Sequence, residues 1–230
     1  MEQINSLARW AIIGRLAASL FHEINNPMQT IQGATGLAME SLEQLALPTT
    51  AQNLDTYLSL TLQESERIMR LIARARRVYR PENDQAEAFD LNNLLRETAV
   101  LTSEEMHRKK ITVRTAFEPS LPFVYAQFSE LSLALLCPLL EISDAMQTVG
   151  GGELLLSSYT EGAAEAGRIC VKLSTPSLDS PPDGGFQLIV CREVVAEYHG
   201  AVEVMVENGR LAICITLPFN TILPAATELP

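Results

Sequence analysis

Apolar residues recur at Ile13, Leu16, Leu20, Ile24, Met28, Ile31, Ala34 and Ala38, at the spacing of three or four that lines one face of a helix. A second run repeats the pattern at Leu54, Leu58, Ser65, Ile68, Ile72, Ala75 and Tyr79, with Leu62 beside the stripe. Leu47-Pro48-Thr49-Thr50 supplies the break between them. Two long helices with a tight connection predict an antiparallel hairpin. Two helices alone bury too little of their stripes, so dimerisation into a four-helix bundle is the expected completion.

Beyond residue 86 the pattern changes. A helix is expected over 89–107, opening at Phe89-Asp90 and continuing through Leu91, Leu94, Leu95, Thr98 and Leu101. Ile111–Phe117 alternates as a strand, and 126–147 reads as a helix. Gly150-Gly151-Gly152 turns into a strand over 153–159, and 168–174 alternates again. Residues 186–199 are helical up to Gly200, and 202–206 with 210–217 form a hairpin around Asn208-Gly209. Helices alternating with mostly antiparallel strands predict a two-layer α/β sandwich, so the whole chain is of the α+β class. The expected organisation is a helical domain over 1–80, a linker over 81–86, the sandwich over 87–218 and a flexible tail over 219–230.

Charge supports that division. Residues 1–80 hold 8 Arg, no Lys and 7 acids, whereas 81–230 hold 9 Lys+Arg and 21 acids. The change falls at Arg80-Pro81-Glu82-Asn83-Asp84, a polar, Pro-containing boundary. The net charge of -11 argues against a nucleic-acid or anionic-membrane surface, and 47% hydrophobic residues argue against general disorder. Cys137, Cys170, Cys191 and Cys214 are far apart in apolar stretches, which reads as buried thiols rather than a zinc site or disulfide framework. The longest apolar run, Leu133–Leu140, is too short to span a bilayer. No export signal is visible, and helical periodicity begins almost at once, at Leu7 and Trp10. A cytoplasmic protein without an input module in cis is therefore expected.

His22 is the residue with chemistry to explain. It lies two positions from both Leu20 and Ile24, about 200° from their stripe, among Ala18, Ser19, Asn25, Asn26 and Gln29. That side of the helix is expected to face solvent. Glu23 follows directly, and Pro27 interrupts the helix at a cost of roughly 3 kcal/mol relative to Ala. A neutral imidazole is a good nucleophile toward phosphorus, and a neighbouring carboxylate fixes its tautomer and stabilises the cation as it forms. On the second helix Arg67, Arg70, Arg74, Arg76, Arg77 and Arg80 concentrate positive charge, which either solubilises the bundle or docks an acidic partner.

The string Leu16-Ala17-Ala18-Ser19-Leu20-Phe21-His22-Glu23-Ile24-Asn25-Asn26-Pro27, followed on the next helix by Glu66-Arg67-Ile68, resembles the phosphoacceptor box of sensor histidine kinases. The resemblance implies that His22 carries a phosphoryl group on Nε2, that Glu23 orients the ring or accepts its proton, and that Asn26 holds a water in a phosphatase reaction. The second half is similar to the ATP-binding domain of the same kinases. The similarity rests on Phe89-Asp90-Leu91-Asn92-Asn93-Leu94-Leu95, on Leu135-Leu136-Cys137-Pro138-Leu139-Leu140-Glu141-Ile142-Ser143-Asp144-Ala145-Met146, on Val195-Ala196-Glu197-Tyr198-His199-Gly200 and on the closing Ile213–Pro218.

The departures from that family are specific. Its magnesium-holding Asn falls at Glu141, whose charge would face the ATP phosphates unless a metal lay between. The adenine-recognising D-x-G-x-G box is replaced by Ser174-Thr175-Pro176-Ser177-Leu178-Asp179, the phosphate-closing G-x-G-L segment is reduced to Gly185-Phe186-Gln187-Leu188, and Gly184-Gly185 reads as a turn before a helix. Metal coordination, adenine bonding and backbone donors around phosphate are each affected. The expectation is a homodimeric histidine phosphotransferase that relays a phosphoryl group between receiver-domain aspartates through His22. It would bind no cofactor stably, and Mg²⁺ would come with the partner receiver domain. Response-regulator receivers are the expected partners, with a hybrid histidine kinase as a candidate donor, and no nucleic acid or membrane. The alternatives are a receiver phosphatase using Asn26, an active kinase with an altered ATP site, and a non-catalytic docking protein.

Overall fold

The computed structural model describes residues 2–43, 48–79, 85–162, 167–178, 185–207 and 210–219. The sequence features at 80–84, 179–184 and 208–209, and the tail from 220, lie outside the described residues. Helix α1 spans Glu2–Glu43 and α2 spans Pro48–Tyr79, packed against each other as the hairpin. Pro48 is already helical rather than part of the break. It opens α2, where a missing N–H has no intrahelical partner to lose. Ala34, Ala38 and Leu71 are buried between the helices. Met28, Leu58 and Ile72, expected on the core stripe, are instead 42%, 56% and 49% exposed. One hairpin covers one side of each helix and leaves the other side of the stripe bare.

The helix expected over 89–107 is three elements. Strand β1 is Glu87–Phe89, helix α3 is Leu91–Leu101 and helix α4 is Ser103–Arg108. Asp90 caps α3, its carboxylate accepting from the Asn92 N–H at 2.8 Å. Between α3 and α4 the Thr102 hydroxyl donates back to the Thr98 carbonyl at 3.0 Å, a side-chain competitor for the helical ladder.

The remaining elements follow the expected order, apart from the strand Val124–Ala126, which the sequence pattern does not predict. They are β2 (Ile111–Phe117), β3 (Val124–Ala126), α5 (Phe128–Thr148), β4 (Gly152–Glu161), β5 (Arg168–Thr175), α6 (Phe186–Glu197), β6 (Ala201–Glu207) and β7 (Arg210–Pro218). β1 and β3 pair as a two-stranded sheet of three residues each, too short for a period-two signal. The main sheet runs β2-β4-β5-β7-β6, with β2 and β4 parallel and the other neighbours antiparallel. Leu91 and Leu95 of α3, Leu135 and Leu139 of α5 and Val195 of α6 share one buried core with Leu156, Val171 and Ile213 of the sheet. That is the two-layer sandwich.

The glycine triplet joins α5 to β4 with φ of 90°, 97° and 128°. At Gly151 a side chain would also strike the carbonyls of Lys109 and Lys110, so both conformation and space require glycine there. This close approach holds the C-terminal end of α5 against Lys109 and thereby places Asp144 beside it.

Candidate functional site

His22 and Glu23 lie in the middle of α1, described by their backbone alone. Asn26, one turn later, is exposed, and Pro27 is buried against the hairpin. Asn26 lines a cleft of about 190 Å³ together with Arg67, Arg70 and Leu71 of α2 and Val100, Ser103 and Glu104 of the α3–α4 corner. Both arginines are tied only loosely to acids on their own helix, Arg67 to Glu64 at 3.4 Å and Arg70 to Glu66 at 3.7 Å. Of the three expected site residues, Asn26 therefore has a defined environment: a cationic cleft between the hairpin and the second domain.

The strongest polar constellation centres on residues not expected from the sequence. Arg15 of α1 donates through Nη1 and Nη2 to both carboxylate oxygens of Asp144 at 2.6 Å each, a bidentate pair. Its Nε donates to Glu105 Oε1 at 2.9 Å, and Nη2 reaches the same oxygen. Lys109 joins from behind, with Nζ 2.9 Å from Ser143 Oγ, 2.5 Å from Asp144 Oδ1 and 2.9 Å from Glu105 Oε1. The Glu105 side chain is 2% exposed and that of Lys109 is 6% exposed. Burial opposes ionisation of both carboxyls, but the bonds from Arg15 and Lys109 prevail and hold Glu105 and Asp144 below the usual carboxylate range. Burial works against the Arg15 charge as well, and the bonds to Asp144 and Glu105 raise its pKa instead. Two cations and two anions thus join α1, α4 and α5.

Glu141 stands one helical turn before Asp144. Its Oε1 accepts the backbone N–H of Gly185, the N-cap of α6, at 3.0 Å. Gln187 donates its side-chain amide to Glu141 Oε2 and accepts from Arg15 Nη1 at 3.2 Å. Burial pushes the Glu141 carboxyl up, with Asp144 adding to that effect while the Gly185 N–H and Arg15 oppose it. The backbone donor at the remaining glycine is thus already bonded to an internal carboxylate, and the Glu141 oxygens fill the space beside Gly185. Among the described residues, this set offers nucleotide phosphates a carboxylate that needs a bridging metal and a backbone donor already engaged.

The other candidates add little chemistry. Cys137, Cys170, Cys191 and Cys214 are free and buried, and burial pushes Cys170 and Cys191 up to about 12, which leaves them as inert thiols. Among the described residues no group of three His, Cys, Asp or Glu side chains is placed to hold a metal ion. No described helix is long and apolar enough to cross a membrane.

Comparison with known proteins bears on the helical region first. Residues 12–84 match the family "His Kinase A (phospho-acceptor) domain". The sensor histidine kinase ZraS of Escherichia coli (strain K12) is 25% identical over 95% of this chain and 48% of its own length. Sporulation kinase B of Bacillus subtilis (strain 168) is 25% identical over 87% of this chain and 48% of its own length. The chain thus spans about half the length of these curated relatives. Among solved structures, the Acinetobacter baumannii histidine kinase AdeS is similar with a TM-score of 0.48 and 15% identity, covering 86% of this chain and 98% of that one. Residues 12–84, with their H-E-x-x-N-P string, thus match a HisKA-type phospho-acceptor domain, and the chain as a whole is similar to ZraS-like sensor kinases.

Proposed function

We propose that this chain is a phosphorelay component in which His22 of a dimeric helical bundle exchanges a phosphoryl group with receiver-domain aspartates. In the forward step the imidazole nitrogen of His22 attacks phosphorus, the bond from phosphorus to the aspartyl oxygen breaks, and the carboxylate leaves. Glu23 takes or stabilises the proton on the other ring nitrogen. The second transfer reverses these roles with another receiver. In-line geometry and Mg²⁺ brought by the receiver suffice for this chemistry. The observation that carries the relay reading is the bond between Glu141 and the Gly185 N–H, which occupies the donor a nucleotide phosphate would need.

The second reading is an active, ATP-dependent histidine kinase with an altered nucleotide site. The comparisons with known proteins favour it over the relay, because the named relatives are kinases and their similarity extends over most of this chain. Labelled ATP with Mg²⁺ separates the two. The relay reading expects no acid-labile label on the folded protein, but reversible exchange of label with a phosphorylated receiver that His22→Ala abolishes. Label from ATP that disappears in His22→Ala would establish the kinase and overturn the relay reading.

A further inference from the structure

Helices cover one face of the main sheet, and no described element covers the other. In β5 and β7 the odd-numbered Ile169, Val171, Leu173, Ile213 and Ile215 point into the core. The even-numbered Lys172, Ser174, Arg210 and Ala212 therefore lie on the uncovered face. Leu155 and Ser157 of β4 and Glu207 of β6 share that face, because Leu155 pairs with Ser174, Ser157 with Lys172 and Glu207 with Arg210. Together these side chains line a groove of about 520 Å³.

The charges of the groove are paired against the strand register. Glu207 and Arg210 stand directly opposite each other where the β6–β7 hairpin turns, a position that favours a cross-strand ion pair. Glu207 instead reaches across β7 to Lys172 of β5, with Oε2 2.6 Å from Nζ. Ala212 and Cys214, on the strand it crosses, are small and leave the path open. Arg210 is left exposed, without an ion pair among the described residues. Glu153, two residues before Leu155 on the same face, is held by Arg114 at 2.8 Å. The lining thus carries one neutralised cation, one open cation and no unpaired acid, within a domain rich in acids. Its floor is neutral. The Ser157 hydroxyl donates to the Lys172 carbonyl at 3.2 Å, and the Ser174 hydroxyl makes no hydrogen bond among the described residues.

We propose that this groove binds a small organic anion, with one carboxylate or phosphate group on Arg210 and the neutral body of the ligand over Leu155, Ser174 and Ala212. The guanidinium offers the planar fork that both head groups match. The free Ser174 hydroxyl adds a donor, and the volume is within the range of small-ligand sites. The Glu207–Lys172 bridge sets the charge that the site presents. The groove lies on the face of the sheet opposite α5 and its Glu141, so it is independent of His22 and of both readings of the phosphoryl chemistry.

Phenyl phosphate and benzoate, titrated into the isotopically labelled full chain at an ionic strength fixed with sodium chloride, test it by nuclear magnetic resonance. The expected result is a saturable shift of the Arg210 Nε–H signal and of the Ser157, Ser174 and Ala212 amides. The probe that binds more tightly names the head group. Arg210→Gln should weaken binding by about tenfold or more, and Glu207→Gln, which releases Lys172, should strengthen it severalfold. Arg210→Lys keeps the charge without the fork and should fall between Arg210→Gln and the unaltered protein. Ser174→Leu fills the floor without changing any charge and should also abolish binding, which separates a shaped site from simple attraction to a cation. Unshifted core amides establish that each variant is folded. The site would be overturned by the absence of a saturable shift with either probe, or by shifts spread equally over Arg114, Arg168 and Arg210. Binding that survives both Arg210→Gln and Ser174→Leu would overturn it as well.

Discussion

Glu141 shows how one side chain decides what a site can bind. The residue is 7% exposed, and its carboxylate holds the N-cap Gly185 with one oxygen and Gln187 with the other. Because burial raises its pKa, the ionised group costs stability once the pH exceeds the folded-state value. Its contribution is fully present below the ordinary carboxyl value of 4.5 and is lost as pH rises through the raised one. Glu141→Gln keeps an oxygen for the Gly185 N–H and removes the charge. We expect it to be as stable as the unaltered protein at pH 7.5, or more stable by up to about 1 kcal/mol. Urea denaturation at several pH values should show that difference shrinking as the pH approaches 5. A variant destabilised by more than about 1 kcal/mol at pH 7.5 would mean that the charge itself holds α6 in place. The substitution of Glu for the family's Asn was legible in the sequence, but its partner was not. The Gly185 N–H and Gln187 come from a segment 44 residues later, and local pattern does not encode that approach.

Pro27 poses the corresponding question for a whole element. It lies inside a 42-residue helix and supplies no N–H, so the Glu23 carbonyl lacks its usual donor one residue after His22. Pro27→Ala restores that bond, and the helix should gain about 1–3 kcal/mol after the lost packing of the buried ring is subtracted. Amide exchange over residues 20–30 should slow, and the melting temperature should rise. A lower melting temperature would show that ring packing outweighs the missing hydrogen bond. Long elements such as α1 and α5 were readable because many turns repeat one period. The stretch 87–108 was not, because its three elements have three, eleven and six residues and Leu91, Leu94, Leu95, Thr98 and Leu101 dominate the periodic signal. The division between α3 and α4 falls at Thr102, whose hydroxyl donates back to the Thr98 carbonyl, and it has no period.

At the scale of the molecule, the Arg15 ion cluster and the bare hairpin faces make separate demands. Glu105 and Asp144 have lowered pKa values, so the ion cluster contributes fully above their ordinary values of 4.5 and 3.8 and is lost as the pH falls through the depressed ones. The groups that face it are Arg15 from α1, Lys109 at the end of α4, and Glu141 from α5. Small-angle scattering should therefore show one radius of gyration from pH 6 to pH 8 and expansion only in acid; expansion within the neutral range would contradict the assignment of the cluster. The hairpin faces predict association. Leu58, Leu62, Ser65, Met69 and Ile72 alternate by four and three along α2, and the four apolar members are 56%, 64%, 70% and 49% exposed. Phe21, Met28, Met39 and Leu42 make a second bare stripe on α1. This four–three spacing is the seam of a left-handed helical bundle, and a second copy of the hairpin offers the same two stripes. The expected mass in solution is twice 25.3 kDa. Leu62→Lys together with Met69→Lys, both far from the core of the sandwich, should shift sedimentation equilibrium toward the single chain and leave the far-ultraviolet spectrum of the second domain intact. If the unaltered protein sediments as a single chain at micromolar concentration, these stripes must be covered by something other than a second copy, and the dimeric bundle in the proposed relay would have to be abandoned.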